Sequence, residues 1–182
     1  MKRIISILLV ITMLFIFASC GNKDNILNEA ATKNVTTSET YENILTIKEK
    51  VFVATIDDIY RNYSKYQTDY SFVKYEGFVL PQTDTAGTTY KWVCRYGPGC
   101  CGSGGTPGFV VIFDCEMPDE KSWVEVTGTI QVASAGDPIY DYLKSILGTL
   151  YIDDTTAVSS YAYIKAERVL KLQTRGLETV YN

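Results

Sequence analysis

The amino-acid sequence predicts a mainly β, α+β domain: a small OB-like five-stranded barrel with two short helices, preceded by a signal peptide and a flexible tether. Three observations lead there. Five β-rich runs follow one another between bends marked by glycine and proline. Two stretches repeat apolar residues at helical spacing, and the start of the chain is composed like a leader and linker rather than a core.

Lys2-Arg3 opens the chain and the apolar run Ile4 to Ala18 follows. As a helix this run would reach about 22 Å, short of the roughly 30 Å hydrocarbon core, so it reads as the apolar part of an export signal. It ends in Phe17-Ala18-Ser19-Cys20-Gly21, where small residues ahead of the cysteine let the chain enter a peptidase in extended form. The pattern resembles the lipobox of bacterial lipoproteins. That resemblance implies a signal peptide over residues 1–19, a lipid such as palmitate on Cys20, and attachment to the extracytoplasmic face of the cell membrane. Two or more acyl chains make such an anchor stable. Residues 20–45 then read as the lipidated cysteine and a tether rich in Asn, Thr, Glu, Lys and Ser.

The OB-like body is expected over residues 50–172. Thr55 can cap a helix whose first turn holds Asp57 and Asp58, and Ile56, Ile59, Tyr60 and Tyr63 share one face until the pattern fades near Tyr66. The run Phe72 to Leu80 contains Gly77 and stops at Pro81. Thr88 to Tyr96 alternates, with Trp92, Cys94 and Tyr96 opposite Val93 and Arg95. Phe109 to Cys115 is almost wholly apolar, as suits a strand buried on both faces. Trp123 to Val132 alternates again, and Tyr161 to Leu172 supplies the fifth strand. Before it, Asp137-Pro138 announces a second helix with the stripe Ile139, Tyr142, Leu143, Ile146 and Leu147, closed by Gly148. Residues 173–182 read as a loose polar tail.

Composition removes several functions. The chain has no histidine, which excludes Ser-His-Asp and Cys-His catalysis and every His-ligated metal. Its formal charge of −4 becomes −6 once Lys2 and Arg3 leave with the signal, so nucleic acid is not an expected partner. The acidic pairs Asp57-Asp58 and Asp153-Asp154 lack the ligand spacing of a calcium loop and read as a helix start and an exposed turn. The glycine runs are not followed by Gly-Lys-Ser/Thr, so there is no P-loop.

The most unusual segment runs from Cys94 through Gly97-Pro98-Gly99-Cys100-Cys101-Gly102 to Gly108. Such glycine density lets backbone N–H groups turn toward a ligand or lets sulfurs converge. With Cys20 lipidated, Cys94, Cys100, Cys101 and Cys115 remain within one predicted hairpin. Three readings stay open. The thiolates bind zinc or copper, with Cys94 or Cys115 assisting the adjacent pair Cys100 and Cys101. They form disulfides in the oxidising exterior, among them Cys94–Cys115. Or Cys100 or Cys101 is a redox thiol with its pKa lowered by Arg95. Arg95, Tyr96, Gly99 and Gly102 complete the expected ligand loop.

The order Tyr70…Gly77-Phe78-Val79, Arg95-Tyr96…Cys100-Cys101, Gly108-Phe109, Trp123-Val124-Glu125-Val126-Thr127-Gly128 and Ala166-Glu167-Arg168-Val169 resembles the C-terminal domain of the YcgQ-like family. These are membrane-associated bacterial proteins typically encoded beside a predicted permease, and the resemblance covers roughly Val51 to Leu172. In that family an Asp follows the cysteine pair, a place taken here by Gly104 or Gly105. The resemblance implies a lipid where relatives carry transmembrane helices. The expectation is therefore a lipid-anchored, non-enzymatic domain serving a permease or other envelope complex, the Cys-Cys loop contacting a metal or ligand. An envelope thiol-redox enzyme and a purely structural, disulfide-stabilised domain are the alternatives.

Overall fold

The computed structural model describes residues 41–97 and 105–180. The signal peptide and nearly all of the tether lie outside the described residues. The tether's last residues do not: Ile44–Thr46 form β1, a parallel partner to Phe72–Lys74. This strand makes six where the sequence predicts five, because three residues, none of them fully buried, give too short a pattern to read.

A 3-10 turn, Glu49–Val51, leads into α1, Phe52–Asp69. The helix begins one turn before Thr55, and no side chain caps it. Packing overrides the capping signal here. Phe52, Ile56, Ile59 and Tyr60 are buried at i, i+4, i+7 and i+8, and starting at Thr55 would have left Phe52 outside that stripe. The helix kinks at Asn62, whose side chain donates to Asp58 Oδ1 at 2.7 Å, while the Tyr66 hydroxyl donates to the other oxygen.

The sheet contains β2 (Phe72–Thr83), β3 (Thr89–Cys94), β4 (Gly108–Ile112), β5 (Trp123–Ser134) and β6 (Ser160–Lys171). The strand order β1-β2-β3-β4-β6-β5 is joined back on itself by a β2–β5 pairing, so the mainly β, α+β fold is barrel-like. The pair β4–β6 is parallel, while β2–β3, β3–β4, β5–β6 and β2–β5 are antiparallel. Closing the ring leaves few unpaired edges.

β2 runs through Pro81 rather than stopping before it. Val79 turns its N–H and C=O toward Ser122 and Lys121, away from β3. Pro81, two residues on, presents its missing donor to that same side, beyond the start of β5 at Trp123. β5 bends at a register shift between Thr127 and Gly128. A Cβ at Gly128 would come 2.4 Å from the Lys165 carbonyl oxygen, so only glycine permits the close approach of β6 there.

Both faces of the sheet are covered, as the apolar run at β4 predicts. Phe109 and Val111 face the cluster that includes α1, while Val110 faces a second cluster with Phe78, Trp92 and Trp123. α2, Tyr140–Leu147, covers that second face through Tyr142 and Leu143 and ends at Gly148 (φ 66°), whose N–H bonds back to Lys144 O. Asp137 does not cap α2. Its carboxylate accepts from Ser134 N at 2.6 Å and its carbonyl accepts from Tyr140 N, which makes the turn before the helix. Among the described residues no helix is long and apolar enough to cross a membrane.

The polar tail is docked rather than loose. Tyr96 N donates to Glu178 O and Val180 N donates to Tyr96 O, the two bonds of a parallel bridge between Tyr96 and Thr179, and Val180 is buried in the main core. Its polar composition hid this, because backbone groups and one valine do the docking.

Candidate functional site

The two legs of the glycine-cysteine loop stay paired beyond the ends of β3 and β4. Arg95 N donates to Pro107 O at 3.0 Å, and Gly97 N donates to Gly105 O at 2.7 Å. Glycine is required at this base. A Cβ at Gly108 would lie 2.3 Å from Val93 O, and one at Gly97 would lie 2.9 Å from Gly105 O. Gly99, Cys100, Cys101 and Gly102 fall within residues 98–104, outside the described residues.

These pinned feet border a cleft of 460 Å³ at the rim where the two apolar clusters meet. α1 supplies Val53, Ile56 and Asp57, α2 supplies Ile146 and Leu147, and Leu150 follows. The floor holds Trp92 and Tyr60, and Gln82 enters from the end of β2. Trp92 Nε1 donates to the Tyr142 hydroxyl at 2.7 Å, which donates to Gln82 Oε1 at 3.2 Å, so the polar floor is ordered by its own hydrogen bonds. Tyr60 donates to Gly108 O at 2.8 Å, and burial pushes its hydroxyl far above the usual tyrosine range. Asp57 is held by Arg61 at 3.0 and 3.2 Å. An apolar cleft with a few ordered polar groups is what small-molecule and peptide sites share.

Arg95 does not line this cleft. Its side chain is 4% exposed and its guanidinium lies between the rings of Phe52 (5.1 Å) and Trp123 (5.0 Å). It donates to Glu76 O (2.9 Å), Glu49 Oε1 (3.0 Å) and Leu177 O (2.9 Å), fastening the 3-10 turn and the tail to β2. The alternating pattern put Arg95 and Cys94 on opposite faces, and the structure keeps them so. Tyr96 is partly exposed, packs its ring at a tilt against Phe78 with centroids 4.7 Å apart, and pairs with the tail.

Cys94 is a fully buried free thiol, so the expected Cys94–Cys115 disulfide is not formed. Cys94 belongs to the second apolar cluster, wedged between the close-packed Gly77 and Gly108. Cys115 lies past the end of β4 and is disulfide-bonded. Among the described residues no group of three or more His, Cys, Asp or Glu side chains could hold a metal.

Burial pushes the Cys94 thiol up to about 12 from its ordinary 9.0. The native protein is therefore expected to leave Cys94 unalkylated at pH 8, with modification appearing only in denaturant. The same shift sets a pH dependence. The folded state keeps its proton where the unfolded chain has lost it, so the stability contribution is complete below pH 9.0 and declines as pH rises toward about 12. Alkylation of Cys94 in native protein at the rate of a model thiol would contradict this placement.

Several cleft and clasp residues carry no sequence signal of their role. Gln82 and Leu150 sit in segments that read as strand end and loop, and Glu49 acquires a role only when Leu177 returns from the far end of the chain. A family model described as the DUF1980 C-terminal domain matches residues 23–164, which covers β1 to β5 and the start of β6. No curated protein matches the chain.

Proposed function

This chain belongs to the DUF1980 C-terminal domain family, and from that premise we propose a lipid-anchored protein of the cell envelope that binds rather than catalyses. Cys20 carries the lipid on the extracytoplasmic face of the membrane. The domain serves a permease or another envelope complex, as the YcgQ-like resemblance implies. The observation that carries the binding reading is the cleft at the pinned feet of the glycine-cysteine loop. Its tyrosine hydroxyl is locked and its carboxylate is paired, so it offers shape and apolar surface in place of an acid–base group.

In the metal form of this reading, Cys100 and Cys101 supply the thiolates after reduction. Cys94 is buried in the core and takes no part. Zinc or copper is expected to bind the reduced mature protein and to be lost in the Cys100→Ser/Cys101→Ser double variant. Reduced protein without measurable affinity for either ion removes the metal part. Fatty-acid labelling of producing cells tests the anchor: the label is expected on the natural protein and absent from Cys20→Ala. A second reading, a disulfide that stabilises the domain, is favoured by the bonded state of Cys115.

A further inference from the structure

The cleft does not end at Gln82 and Ile146. A second cavity of 430 Å³ shares both residues and continues to the β2–β3 hairpin, with Asp84, Thr85 and Ala86 on one side and Asp141, Tyr142 and Ser145 of α2 on the other. Together the two form a groove along α2. Its charge is one-sided. Asp57, Asp84 and Asp141 line it, and neither cavity has a lysine or arginine among its described lining residues. Asp57 is paired with Arg61, which also donates to the Tyr151 carbonyl, so the groove's negative charge is carried by Asp84 and Asp141; Lys144 of α2 lies over the Tyr140 ring at 5.8 Å. Asp84 accepts from Ala86 N and Thr88 N, so it is fixed in place, while Asp141 stands exposed in the first turn of α2. Between the carboxylates lies Ile146, 42% exposed and shared by both cavities.

We infer that this groove docks a basic amphipathic peptide segment of a partner protein. Its apolar side chains enter the cleft over Ile146 and Trp92, and its lysines or arginines meet Asp141 and Asp84. Apolar surface supplies the affinity and complementary charge sets which segments are accepted. Protein segments bind such grooves through periodic apolar anchors. The inference rests on the binding reading above and names the chemistry of the partner.

The mature full-length protein is titrated into two labelled synthetic peptides of equal length, one alternating leucine with lysine and one alternating leucine with glutamate. Anisotropy and tryptophan emission are followed together. The lysine peptide is expected to bind and to shift the emission, and Trp92→Phe is expected to remove the shift. Asp141→Lys is expected to weaken binding about tenfold, and Ile146→Ser to weaken it as well, both with unchanged unfolding midpoints. The inference is overturned if neither peptide binds, if both bind alike, or if Asp141→Lys leaves affinity unchanged. It is also overturned if sedimentation shows a dimer that Ile146→Ser disperses, which would assign the groove to a second copy. Failure here, with Cys20 still taking up fatty acid, leaves the anchor standing. Loss of the label with peptide binding intact removes the anchor and leaves the groove.

Discussion

Arg95→Ala is expected to lower the unfolding free energy by about 2–4 kcal/mol, among the largest losses from any single side chain outside the apolar core. Truncation strips donors from two carbonyls and a carboxylate and opens a gap between Phe52 and Trp123. The carboxylates of Glu49 and Glu76 remain about two-fifths exposed, so water recovers part of the loss. Arg95→Lys is expected to restore less than half of it, because a single ammonium cannot lie flat between two rings and reach three acceptors. Denaturant unfolding followed by tryptophan emission measures this. A loss below about 0.5 kcal/mol, the range of surface substitutions, would contradict the clasp.

Gly108→Val is expected to cost about 3 kcal/mol or more. An added Cβ would meet Val93 O at 2.3 Å and the Cys94 Cα and Cβ at 2.6 Å. The first two are backbone of the adjacent strand, so relief requires β3 and β4 to separate. That separation would also move the feet of the loop and the carbonyl to which Tyr60 donates. Gly105→Ala serves as the matched control, because nothing lies within 4 Å of a Cβ there. It is expected to change stability by no more than about 0.5 kcal/mol. Equal effects of the two substitutions, read as shifts in unfolding midpoint, would contradict the close approach at Gly108.

The strands were legible wherever both faces carry apolar residues. Val93 against Trp92 and Val110 against Phe109 announce two cores from alternation alone. β1 and the docked tail were not legible, because their stability comes from partners distant in sequence: Lys74 for Ile47, Glu49 for Leu177, Tyr96 for Val180. The start of α1 was misplaced for a related reason, since the burial of Phe52 outweighs the capping preference of Thr55. At the site, the loop was conspicuous by its glycines and cysteines, and Gly97 and Gly108 have the tight surroundings that glycine implies. Which cysteine belongs to the core depends on register. That register places Cys94 opposite Gly108 and Phe78, leaving no room for a bridge to Cys115.

Mapping each sulfur by mass spectrometry of non-reduced peptides from the natural membrane-bound protein tests most directly whether the working thiols lie apart from the core. The expected map has lipid on Cys20, a free thiol on Cys94 and a disulfide on Cys115 that does not involve Cys94. A peptide joining Cys94 to Cys115, or an unlipidated Cys20 behind an uncleaved leader, would contradict it.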